Sequence, residues 1–109
     1  MEHKDFSILK KNLLALGYTV SCFDTAAEAA RYLDAQIHHQ TVGFAGSMTL
    51  EKMGLYERLS AHNEVHWHQR IPEGKTSKEV RVQANAASIY ITSVNGIAES
   101  GEIVNIVII

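Results

Sequence analysis

Thr41-Val42-Gly43-Phe44-Ala45-Gly46-Ser47-Met48-Thr49-Leu50 decides how this chain folds. Thr41 to Ala45 reads as a buried strand, and small residues follow it into a loop. Leu50, Met53 and Leu59 then supply the apolar side of a helix, with Gly54 allowing close packing. A strand, a small-residue loop and a helix in that order present backbone N–H groups at a helix N-terminus, where phosphate or carboxylate is favoured. Gly43 and Gly46 permit close approach of a ligand, and Ser47 or Thr49 either caps the helix or binds that ligand. The plainer reading is a tight strand–helix turn with a hydroxyl cap. The spacing matches neither the dinucleotide fingerprint nor a P-loop, because no Gly-Lys-Ser/Thr follows.

Upstream, Phe6, Leu9, Leu13 and Leu16 recur at helical spacing, and Gly17 is a helix stop. Tyr18 to Phe23 reads as a short strand that buries Cys22 as a small hydrophobe. Thr25-Ala26-Ala27-Glu28 is a capping box opening a helix that buries Tyr32, Leu33 and Ile37. Downstream, Glu64 to His68 predicts a strand, and Ile71 to Lys75 a loop around Pro72. Thr76-Ser77-Lys78-Glu79 is a second capping box, with a helix to about Ala87. Ser88 to Val94 and Glu102 to Ile109 predict the last strands. Strands alternating with helices predict an α/β fold of three layers, a mainly parallel sheet flanked by helices. Asn95-Gly96 is a hairpin signal by itself, set aside because only a short partner precedes Ser100-Gly101.

The 109 residues suffice for one domain with a core, and 46% are apolar against 20% charged. That composition excludes a disordered tail. A net charge of −2 gives no basic field for nucleic acid or anionic lipid. No apolar run approaches the roughly 20 residues that span a bilayer. The polar N-terminus lacks a signal-peptide core, so a cytoplasmic protein is expected. Cys22 is the only cysteine, which excludes an internal disulfide.

The second loop runs Thr92-Ser93-Val94-Asn95-Gly96-Ile97-Ala98-Glu99-Ser100-Gly101-Glu102-Ile103-Val104-Asn105. Glu99 and Glu102 are the candidate general acids or bases, provided that burial raises a carboxyl pKa. Asn95 and Asn105 can orient a carbonyl or hydroxyl. Exposed Glu residues beside Asn-Gly and Ser-Gly turns are the ordinary alternative. His62, His66 and His68 invite a metal reading, with His66 and His68 on one strand face. No cysteine or carboxylate cluster completes a ligand set, so no metal is expected. Trp67, on the opposite face, is expected in the core. His38-His39 lies at a helix end, where the dipole favours cationic His.

Gly46-Ser47-Met48-Thr49-Leu50 followed by Gly54, with the second loop, resembles the signature of the LUD (lactate utilisation) domain family, from about Leu13 to Asn105. The resemblance implies the fold shared by ribose-5-phosphate isomerase, glucosamine-6-phosphate deaminase and CoA-transferases. There the corresponding small-residue loop holds a phosphate or an activated acyl group. The ligand-binding residues so implied are Gly43, Gly46, Ser47, Met48, Thr49, Ser93, Asn95 and Asn105. The second loop also looks distantly like that of methylthioribose-phosphate isomerase relatives. Asn95 stands where those carry a catalytic Asp, and a neutral amide cannot take a proton. Family members continue past the Val-Asn pair with Asp-Gly-x-Gly-Asn-Arg. Here Ile106-Val107-Ile108-Ile109 follows, so a single partial domain over residues 1–109 is expected. Its apolar terminal strand implies a homo-oligomer or a truncated product.

The function so implied is a part in oxidation of L-lactate to pyruvate beside iron–sulfur partner proteins. This chain would bind a small anionic metabolite or phosphate-bearing ligand. It carries no cysteine set for a cluster, so no cofactor of its own is expected. The alternative is an autonomous isomerase, acyltransferase or hydrolase of the same superfamily, using Glu99 or Glu102. A third reading is an oligomerising remnant without activity.

Overall fold

A computed structural model describes residues 5–94 and 96–104. They fall into two compact units, one spanning 26–93 and the other formed by the two chain ends. In the larger unit, β1 (Thr41–Phe44) is the centre of a parallel sheet ordered β2-β1-β3, where β2 is Glu64–Trp67 and β3 is Ile89–Ile91. Register sets Val42 beside Val65 and Ile89, and Phe44 beside Trp67 and Ile91. Side chains alternate across a strand, so these six share one face. Helices α2 (Ala26–Gln36), α3 (Met48–Lys52) and α4 (Leu55–Ser60) cover it, burying Ala30, Leu50, Leu55 and Leu59 into one core with Val42, Phe44 and Trp67.

The opposite face carries Gly43, level with His66 and Tyr90. Helix α5 (Ser77–Asn85) lies on it through Val80 and Ala84. A Cβ on Gly43 would fall 2.2 Å from the Ala84 carbonyl oxygen. Gly43 is therefore the gap into which the helix backbone settles, and α5 takes the space it leaves. The layers are thus helix, parallel sheet and helix, the α/β architecture expected from the sequence.

Thr76 caps α5 as predicted, its hydroxyl accepting from the Glu79 N–H at 3.2 Å. Helix α2 starts directly after Thr25, and buries Ala30 with Leu33 and Ile37 packed into the core, whereas Tyr32 is exposed. One long helix after the first loop is replaced by two. Gly54 takes a left-handed φ of 66° between α3 and α4, with open space where a side chain would stand. It makes a bend and not a close contact, and the bend turns Leu50, Leu55 and Leu59 onto the same core.

In the smaller unit, α1 (Ser7–Ala15) ends as the sequence predicts. Gly17 adopts φ 95°, and the N–H groups of Gly17 and Tyr18 bond the Leu14 and Leu13 carbonyls at 3.1 Å each. That is a Schellman closure. Tyr18 to Phe23 forms no strand, and Cys22 is exposed, not buried. Its β-favouring residues lack a pleated surface to pack on, since Tyr18 and Phe23 are exposed too. The strand predicted from Glu102 onward is seen as β5 (Ile103–Val104), paired antiparallel with β4 (Gly96–Ile97). The hairpin turns at residues 98–101, where the Gly101 N–H bonds the Ala98 carbonyl at 2.8 Å, and Asn95 lies outside the described residues. The Asn12 amide donates to the Glu99 carbonyl at 2.8 Å, and Leu16 packs over Gly101. Residues 105–109, on which the oligomer expectation rests, lie outside the described residues.

Gly43→Ala should destabilise the fold by at least about 1–3 kcal/mol, because backbone cannot yield as a flexible side chain can. Gly54→Ala should cost about 1–2 kcal/mol through its left-handed backbone alone. Urea denaturation midpoints of both variants check the ranking.

Candidate functional site

The carboxyl ends of the three parallel strands meet at one edge. The chain goes from β1 out to β2, then back across β1 to β3. The direction of winding reverses there, and ligands of open α/β sheets sit in the crevice at such a reversal. This edge is built from the first loop. Ala45 extends the ladder, donating its N–H to the Ile91 carbonyl at 2.9 Å. Its own carbonyl accepts from the buried Trp67 indole N–H at 3.0 Å. With both groups of Ala45 held, Gly46 and Ser47 leave the sheet in a set direction.

Ser47 is buried, and its Oγ accepts from the Leu50 N–H at 3.2 Å. The same oxygen lies 2.8 Å from Ser93 Oγ. One hydroxyl therefore caps α3 and ties the loop after β1 to the segment after β3. The choice left open by the sequence falls on Ser47 as the cap, while Met48 and Thr49 are exposed in the first turn. The structure brings Gly46, Ser47, Met48, Thr49 and Ser93 to this edge. Gly43 sits deeper, against α5. Asn95 and Asn105 lie outside the described residues.

Glu99 and Glu102 belong to the hairpin of the smaller unit, and both are exposed. The Ser100 hydroxyl, donating to Glu102, holds that carboxyl below the usual carboxylate range. Neither side chain has the burial that the acid–base reading requires.

Sequence reasoning passed over His68 as a crevice residue. β2 ends at Trp67, and the His68 imidazole folds over Gly46, with Nε2 3.0 Å from where a Cβ would stand. Burial, followed by the positive charge of Arg81, pushes the His68 pKa down from 6.5. That direction favours the neutral ring, which has one donor and one acceptor nitrogen. The only sequence signal was its place just past a strand end; that β2 runs beside β1 was not legible.

His38 and His62 lie at the opposite, amino edge of the sheet, whereas His66 sits within β2, level with Gly43. His62 Nε2 lies 2.6 Å from Asp34 Oδ1, and its Nδ1 is 3.2 Å from the Asn63 amide. The His62 hydrogen bond, with smaller help from the charges of His62, Arg58 and His38, lowers the Asp34 pKa. His38 Nε2 lies 2.8 Å from the Ala35 carbonyl, and its ring stacks on His62 at 4.5 Å. These contacts join the ends of α2 and α4. No group of three His, Cys, Asp or Glu fit to hold a metal occurs among the described residues.

A family model described as the LUD domain matches residues 7–107. The chain belongs to the LUD domain family. No curated protein and no solved structure matches it. Both the crevice wall and the hairpin lie inside the matched LUD segment. No helix among the described residues is long and apolar enough to cross a membrane.

Ser47→Ala removes the cap and strands Ser93, and should cost about 0.5–2 kcal/mol. Thr49→Ala should stay within about 0.5 kcal/mol of the parent, as an exposed substitution. Thermal melting of the two variants checks this. At His68, between its lowered folded value and 6.5, the unfolded chain holds a proton that the folded chain does not. Stability therefore rises with pH through that window and is lost on acidification. His68→Gln should flatten the slope, as read by urea unfolding between about pH 5 and pH 7.5.

Proposed function

We propose that this LUD-domain protein serves lactate utilisation by binding a small anionic metabolite or phosphate-bearing ligand at the carboxyl edge of its parallel sheet. The observation that carries the reading is the Ser47–Ser93 hydrogen bond of 2.8 Å. It joins the two loops at the place where the sheet reverses its winding, which is where such sheets take ligands. Gly46, exposed at the rim, lets a ligand approach the backbone. Iron–sulfur partner proteins would carry the electrons, since Cys22 is the one thiol in these 109 residues. Oxidation of L-lactate to pyruvate is then the work of the assembly, with this chain presenting or sensing the acid.

The autonomous-enzyme reading loses ground because its candidate carboxylates, Glu99 and Glu102, are exposed. Differential scanning fluorimetry with pyruvate, L-lactate, inorganic phosphate and CoA esters tests the proposal. A ligand that binds only the folded chain raises the melting temperature by mass action. The expected result is a saturable rise with at least one of these anions, smaller in Ser93→Val than in the parent. A flat response to the whole panel would sink the proposal.

A further inference from the structure

The carboxyl edge is bordered by one element outside the two signature loops. Helix α5 runs back over the sheet, and its Ala84 backbone fills the space beside Gly43 in mid-strand. The helix starts from the carboxyl edge, since it follows β2 and precedes the parallel β3. Residues earlier in α5 than Ala84 therefore lie toward that edge. Arg81, one turn earlier, is exposed, and helical side chains lean toward the helix N-terminus, which here is the carboxyl edge. Among the described residues no carboxylate pairs with Arg81, whereas Arg58 and Arg70 each have acidic partners. The imidazole of His68 is in turn seated on Gly46, at the rim beside Ser47. The half of α5 that carries Arg81 and the half-buried His68 imidazole on Gly46 thus border the same carboxyl edge, where the sheet reverses its winding. A guanidinium offers a planar fork of N–H donors that suits carboxylate and phosphate oxygens.

We propose that Arg81 and His68 form the anion-recognising wall of the crevice, with Arg81 pairing the ligand's acidic oxygens and His68 bonding a neighbouring ligand oxygen. The proposal rests on the reading of this edge as a ligand site. It adds that the ligand is selected by its negative charge through α5, a helix outside both signature loops. The shared chemistry is a compact oxyanion, either the carboxylate of a small hydroxy or oxo acid or a phosphate group.

Isothermal titration calorimetry on the full chain tests it, with L-lactate, pyruvate and inorganic phosphate as separate probes. Arg81→Gln should weaken binding of the preferred probe by about tenfold or more, the scale of one charge-assisted pair. His68→Gln should weaken it less, and Arg81→Lys should recover part of the loss. Arg31→Gln, the same charge change on the exposed side of α2, should leave affinity within about twofold of the parent. Which probe binds separates the carboxylate from the phosphate source. Arg81 is exposed, so its variants should melt with the parent, and a matched melting curve excludes misfolding as the cause of lost binding. Parent binding with Arg81→Gln unchanged overturns this inference and leaves the site standing. Equal weakening in Arg81→Gln and Arg31→Gln also overturns it, as a general field effect. A parent chain that binds none of the three probes removes the site and the inference together.

Discussion

The structure of the larger unit turns on how the buried indole of Trp67 is satisfied. A tryptophan N–H taken out of water needs an acceptor, and here the acceptor is the Ala45 carbonyl. That bond ties the end of β2 to the residue that leaves β1. Phe44 and Tyr56 surround the same ring, with centroids at 5.2 and 5.8 Å. Arg70 covers both Tyr56 and Trp67 at 5.6 and 5.2 Å, and is held there by Glu51 and Glu57. The core and the first loop are therefore one construction. The side chain that anchors the core also sets the direction in which Gly46 and Ser47 emerge.

The two edges of the sheet have been put to different uses. At the amino edge, polar side chains are consumed by one another. Asp34, His62 and Asn63 satisfy each other and the helix ends, and the Asn63 amide reaches the Ile37 and Leu59 carbonyls. At the carboxyl edge, the His68 imidazole rests on Gly46, and Arg81 stands without an acidic partner among the described residues. His62 and His68, alike in the sequence, thus divide into a structural residue and one at the carboxyl edge. The physical difference is which end of a parallel strand each one borders.

The two loops that carry the family signature also part company. The first belongs to the unit with the parallel sheet, while most of the second forms the hairpin of the other unit. Only Thr92 and Ser93 remain with the sheet, and Ser93 is the residue that reaches Ser47. A loop that is continuous in the sequence is divided in its loyalties, and Glu99 and Glu102 are carried to the solvent side of a turn.

By itself the sequence determined the local elements whose chemistry is complete within a few residues. The Gly17 stop, the Thr76 cap, the core place of Trp67 and the strand at 41–44 all follow from spacing and short-range bonds. The α/β class follows from their alternation, and the family from the two loops. Tertiary structure alone decided what needs a partner far along the chain. Tyr18 to Phe23 has strand residues and no sheet to join, and Cys22 is left exposed with it. Gly54 looked like a packing glycine, but only the common core of Leu50, Leu55 and Leu59 shows that it must bend. The same holds at the crevice. Gly46 and Ser47 were legible because a small-residue loop after a strand is a local pattern. His68 and Arg81 were not, because the seat of His68 on Gly46 depends on the register of two parallel strands, and the place of Arg81 on where α5 meets Gly43. Parallel pairing joins residues through crossover helices, and no short-range rule in the chain encodes that register.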